Sequence, residues 1–318
     1  MKPTFLLDHC NVRCATIALA MTALLLQVGL AEATEQGGSS YPVGVELGYG
    51  DMLPPGLYHL AYYSHARAAS LKGNAGQDLG WARYRLTADT ISYRLQYVWN
   101  APLLGASVES ALVLPFPAVD LEKRVSSALP DTSGNRFAMT DPLIVPLRLA
   151  WKGEGLNHSV GLEIVAPFGA YNVNARVNTG RNYWQFAPAY ALTYRPSAAT
   201  ALGLKLRYGM NTKNDDTHYQ SGDELTLEYN AGYKLSPAMT LGLQGYFFRQ
   251  TTDDKLNGQA TSATNGRLIG SGSVNTIGPF LSYRFSPRFA VTAKYQQDFD
   301  VKNRGEFRRF WLQTLLPF

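Results

Sequence analysis

Beyond residue 33 this sequence contains no cysteine; its only two, Cys10 and Cys14, both precede that point. Disulfide frameworks and thiolate metal sites are therefore excluded from the body of the chain. Charge is sparse too, at 17% of residues. Past the N-terminus no stretch approaches the roughly 18 consecutive apolar residues of a transmembrane helix. Helical periodicity is also missing, and with it any frame for the H-E-x-x-H spacing of a metalloprotease. The histidines His59, His65, His158 and His218 are isolated, and no G-x-S-x-G occurs. These gaps point away from an enzyme and from any cofactor.

The N-terminus differs from the rest. Lys2 and Arg13 precede the apolar run "ATIALAMTALLLQVGL", residues 15–30, and Ala31-Glu32-Ala33 follows as an A-x-A cleavage pattern. Residues 1–33 read as a cleaved secretory signal peptide, and the run is short for a membrane anchor. The mature chain would begin at Thr34 and, like the whole sequence, carry a net charge of +5. Export and the scattering of the bases argue against a nucleic-acid partner.

What is abundant is aromatic residues in alternation. Aromatics make up 12% of the chain. In "ISYRLQYVW", Ile91, Tyr93, Leu95, Tyr97 and Trp99 share one face, and Ser92, Arg94 and Gln96 the other. "LTLEYNAGYKL", residues 225–235, repeats the pattern, as does "FAVTAKY", residues 289–295. A period of two is the signature of a strand with one apolar face. About twelve such segments are expected, near 56–67, 83–99, 104–116, 142–152, 158–168, 183–195, 199–209, 223–235, 238–250, 273–285, 288–299 and 307–318.

Their connections alternate in length. "YRPSA", "YKLSPA" and "YRFSPR" are short turns of one design, while 118–140, 169–182, 210–222 and 251–272 are long and polar. Short turns at one end and long loops at the other is the pattern of an outer-membrane barrel. The chain ends on "FWLQTLLPF", with Phe310, Leu312, Leu316 and Phe318 at even positions. This reads as the closing strand, which must pair with the first if no sheet edge is to face lipid. The expected fold is all-β: a transmembrane antiparallel β-barrel of about 12 strands over residues 56–318. A soluble sandwich would also alternate, but it needs fewer strands.

Residues 37–58, "GGSSYPVGVELGYGDMLPPGLY", carry the elements GxSxYPxG and PPGxY ahead of the aromatic stretch "HLAYYS". With the turns "YRPS" and "YKLSP" and the terminal strand, they resemble the proteobacterial outer-membrane family labelled MetA-pathway of phenol degradation, or SphA. The resemblance implies uptake of hydrophobic or aromatic small molecules across the outer membrane of a Gram-negative bacterium. A general porin, or a structural or adhesive barrel with a blocked lumen, are the alternatives.

On the polar face, Arg94, Glu109, Arg148, Glu163, Lys205, Arg207, Glu224, Glu228, Arg284 and Lys294 are expected to line the lumen. They form either cross-strand ladders that satisfy a polar interior or a selectivity constriction. Residues 34–55 have no strand period and are expected to start at the short-turn side, as a lumen plug or as a leader to strand one. The implied partners are outer-membrane lipid and lipopolysaccharide, the barrel-assembly machinery and a small-molecule solute.

Overall fold

The computed structural model describes residues 38–79, 83–124, 133–260 and 271–316. The signal peptide, residues 34–37 and Phe318 lie outside the described residues. Among those described, the strands are β1 (Gly56–Leu71), β2 (Arg83–Val98), β3 (Ser107–Arg124), β4 (Gly134–Phe137), β5 (Leu143–Lys152), β6 (Leu156–Val165), β7 (Gln185–Tyr194) and β8 (Thr200–Asn211). They continue as β9 (Tyr219–Gln220), β10 (Glu224–Lys234), β11 (Met239–Gln250), β12 (Lys255–Leu256), β13 (Gln259–Ala260), β14 (Ser273–Ser286), β15 (Phe289–Lys302) and β16 (Gly305–Leu315).

Apart from the short β4, β9, β12 and β13, these form a closed antiparallel barrel of 12 strands. Each pairs with its neighbour in sequence, and β16 returns to β1 with Leu60 opposite Leu315, Tyr63 opposite Leu312 and His65 opposite Phe310. The Leu316 amide continues the seam by donating to the His59 carbonyl at 2.9 Å. A sandwich of two open sheets would leave edges; closure leaves none, and only closure satisfies every backbone group in lipid.

Alternation sorts the side chains. Ile91 is 63% exposed on the outside while Arg94 is 6% exposed within. Leu202, Leu204 and Leu206 face out, with Lys205 and Arg207 between them facing in. Phe310 and Leu312 of the closing strand face out, and Trp311 faces in. The short turns share a cause as well as a composition. Ser197 Oγ accepts the amides of Ala199 and Thr200 at 3.3 and 3.1 Å. Ser236 Oγ does the same for Ala238 and Met239 at 3.3 and 3.1 Å. A serine hydroxyl that caps its own turn explains why serine recurs beside proline there.

The structure departs from the sequence expectation in three places. Strand β3 runs on to Arg124 and pairs with β4 inside the stretch 118–140, which reads as loop. The alternation continues there, with Leu121 packed inward beside Tyr84 and Phe307. The loops around 210–222 and 251–272 hold a small sheet of β9, β12 and β13. At the long-loop end, β15 and β16 are joined by only Asn303 and Arg304. Asn303 has φ 54°, a left-handed conformation that asparagine tolerates and a tight hairpin needs.

Residues 38–55 run inside the ring rather than along it, and they do not start at the short-turn side. Ser39 contacts Glu224 at the long-loop end of β10. Asp51 contacts Arg195, in the short turn after β7. Apolar clusters form where this segment meets the wall: Tyr41 with Val113, Leu143 and Val165, and Val45 with Leu60, Tyr62 and Trp311.

Candidate functional site

The barrel interior is built from inward positions of the strands and from the segment 38–55 that crosses it. Near the long-loop end, Glu224 of β10 accepts Ser39 Oγ at 2.5 Å and Gln185 Nε2 at 3.0 Å. One level down, Glu163 of β6 takes Lys205 Nζ at 2.7 Å and Arg207 Nε at 2.9 Å, both from β8. The Tyr41 ring lies under the Arg207 guanidinium at 4.0 Å, and Lys205 donates to the Tyr41 hydroxyl at 2.6 Å. Glu228 of β10 accepts the Tyr41 hydroxyl at 3.3 Å and the Gly44 amide at 2.9 Å.

Gly44 turns the segment against the opposite wall with φ +77°, and a Cβ there would meet Gln296 Nε2 at 2.5 Å. Its carbonyl accepts Gln296 at 2.9 Å and Lys294 at 3.1 Å, and Lys294 also reaches the Val45 carbonyl. Next, Glu46 meets Arg94 of β2 and accepts the Tyr62 hydroxyl at 3.2 Å. Arg94 bridges on to Glu109 of β3 at 2.9 Å, and Arg148 of β5 reaches Glu109 at 3.3 Å. At the short-turn end Arg148 donates to the Asp51 carbonyl, and Arg195 clasps the Asp51 carboxylate at 2.5 and 2.9 Å. That hydrogen bond to Asp51 holds the Arg195 guanidinium above its usual pKa, more than burial lowers it. A Cβ at Gly50 would lie 2.4 Å from the Asn157 carbonyl oxygen, so only glycine permits this approach to the wall.

The sequence-derived residues therefore fall into groups. Arg94, Glu109 and Arg148 form one network; Glu163, Lys205, Arg207 and Glu228 form another; Glu224 caps the latter toward the loops. Lys294 stands apart on backbone carbonyls. Arg284 is exposed at the short-turn mouth and joins none of these networks. Of the closing-strand residues, Phe310 and Leu312 face out and Leu316 sits just past β16.

Sequence reasoning missed that each network is completed by the segment, through Ser39, Tyr41, Glu46 and Asp51. No period marks those residues. The GxSxYPxG spacing is their one signal, since Ser39, Tyr41 and Gly44 all touch the wall. It also missed Gln185, Gln244 and Gln296, fully buried inward glutamines that alternation alone would place inside. Alongside the networks, from Asp141 and Arg181 toward the long loops to Lys234 and Arg284 at the short turns, the segment leaves a cavity of about 720 Å³ against the wall. Leu53, Leu60, Phe280 and Leu315 supply apolar surface, and the network residues Arg94, Glu109, Glu163 and Lys205 supply charge together with Lys234 and Arg284 at the mouth.

The family model described as "Putative MetA-pathway of phenol degradation" matches residues 68–314, beginning after the motifs of residues 37–58. Among solved structures, the COG4313 outer membrane channel from Pseudomonas putida F1 is similar at a TM-score of 0.75 and 18% identity, covering 86% of this chain and 100% of that one. The CymD monoaromatic hydrocarbon channel aligns at a TM-score of 0.44 and 10% identity, covering 91% of this chain and 97% of that one. No curated protein matches. The first likeness is one of fold, and the barrel with its apolar outer belt is an outer-membrane barrel in contact with membrane lipid.

Proposed function

The chain belongs to the family of the MetA-pathway of phenol degradation, and from that premise we propose an outer-membrane channel for the uptake of small hydrophobic or aromatic molecules. The observation that carries this reading is the cavity of about 720 Å³ between the inserted segment and the wall. Its size is within the roughly 300–1,000 Å³ of small-molecule sites, and its surface mixes apolar side chains with the charges of the ion-pair networks. A wide, wet pore offers little to a hydrophobic solute; a narrow passage with apolar walls offers more. Residues 38–55 act here as a plug that narrows the passage, and the ion-pair networks around them form the constriction.

The test is to remove residues 37–54 while keeping the leader and every strand. Conductance in planar bilayers should rise, and discrimination between a small aromatic solute and a sugar of similar mass should fall. If neither changes, the segment is only a leader to β1. If the intact protein passes sugars and aromatics alike in swelling liposomes, it is a general porin. If it passes nothing, the segment blocks the lumen and the protein is a structural barrel.

A further inference from the structure

The outer wall carries a cationic site as well as an apolar belt. On β1 and β16, Arg67 and Arg308 stand directly opposite each other, and both are exposed on the lipid-facing side. Like charges facing each other across a strand pair, with Cβ atoms about 5 Å apart, are destabilising unless something lies between them. No described residue forms an ion pair or hydrogen bond with either guanidinium. By contrast, the nearby Asp89 is engaged, taking His65 at 2.9 Å and the Tyr63 hydroxyl at 2.7 Å. Glu122 likewise faces Arg83 and Arg85, each at 3.4 Å.

The depth of the pair matters. One step toward the short turns the outer face is the His65–Asp89 pair and Phe310, and one step further it is Tyr63 and Ile91, exposed and apolar or aromatic. Around the wall, β15 pairs Gln297 with Arg308, and its outward position one step nearer the loops is Phe299, 42% exposed. On the β15 side the apolar belt thus reaches past the level of the two arginines, while on the β2 and β3 side Thr87 and Asp120 share their level, so the pair sits at the rim of the belt. A recess of about 620 Å³ opens beside Arg67, lined also by His65, Arg85, Thr87, Asp89 and Asp120 and by Arg136 and Phe137 of the β4 hairpin. A doubly charged phosphate between two guanidinium forks would relieve the repulsion.

We propose that Arg67 and Arg308, with the recess under β4, form a binding site for a phosphorylated lipid of the outer leaflet, namely the lipid A phosphate of lipopolysaccharide. Its acyl chains would lie along Tyr63, Ile91 and Phe310, and its phosphate between the two arginines. The assignment rests on the barrel's place in the outer membrane and is independent of what the lumen carries.

The test uses the full-length mature protein, stripped of lipid in detergent, with deep-rough lipopolysaccharide as the probe and binding read by native mass spectrometry. Arg67→Gln/Arg308→Gln should weaken binding about tenfold or more, the loss expected when charge-assisted hydrogen bonds are removed. Arg249→Gln, at an outward arginine of β11 that faces Ser273, should leave it unchanged. Dephosphorylated lipid A should bind wild type and double variant equally weakly. A second measurement separates binding from structure: in lipid-free detergent, Arg308→Gln should not lower the unfolding midpoint, because it removes a repulsion. Bilayer conductance should match wild type. Unchanged affinity in the double variant would overturn the site. So would equal loss in Arg249→Gln, competition by inorganic phosphate at the probe's own concentration, or a change of oligomeric state in place of lipid loss.

Discussion

Arg94 shows what a single side chain does inside this barrel. It is almost wholly buried, and it holds Glu46 of the inserted segment on one side and Glu109 of β3 on the other. Replacing it by leucine would leave Glu109, which is 0% exposed, with Arg148 as its one charged partner and Gln96 as a donor at 3.0 Å. Removing one partner of a buried ion pair costs about 3–5 kcal/mol, because the other charge stays buried. Arg94→Leu should therefore lower the urea midpoint of the folded barrel and loosen the segment. Arg284→Ser, at the exposed mouth, should leave the midpoint unchanged. Equal midpoints for the two variants would mean that the network around Arg94 does not bear on stability. Both residues are equally visible in the sequence as inward bases. What separates them is the partner: Arg94 meets an acid supplied from residue 46, and Arg284 meets none among the described residues.

At the scale of the element, alternation made nearly everything legible that lies on a barrel strand. A strand that is apolar on one side and polar on the other has only one way to face lipid and lumen. The closing strand gives the sharpest check. Leu312 faces lipid and Thr292 faces the cavity, where it bonds Ser282. Arginine at a lipid-facing midplane position costs about 2–4 kcal/mol. Leu312→Arg should therefore reduce the fraction of protein that assembles, read as loss of the fast-migrating unheated band. Thr292→Arg should assemble normally, its guanidinium reaching into the water of the cavity. Equal damage from both would reverse the assignment of faces. What alternation does not encode is where a strand stops. Asp120 and Glu122 made the 118–140 stretch read as loop, although they are simply the outward residues of a strand that has risen past the apolar belt. The two-residue turn at Asn303 was also hidden, because a tight hairpin and the start of a long loop use the same residue types.

For the whole molecule, the unread part was the path of residues 38–55. Apart from Tyr62 and Arg94, their polar partners lie about a hundred to two hundred and fifty residues away in sequence, from Arg148 to Gln296. Contacts of that range leave no local period, so composition could suggest a segment inside the barrel but could not say which end it enters. The structure sets its direction, from Glu224 near the long loops to Arg195 at a short turn. That direction constrains the order of assembly. The segment comes first in the chain and the seam between β1 and β16 comes last, so the ring can close around the segment like a hoop around a rope. Threading it afterwards through a finished ring would require dragging Tyr41 past Arg207 and Gly50 past the Asn157 backbone. A bulky folded tag fused ahead of residue 38 should therefore emerge among the long loops, at the cell surface, where added protease can cut it from intact cells. A tag found in the periplasm would mean that the segment had not seated before the hoop was shut.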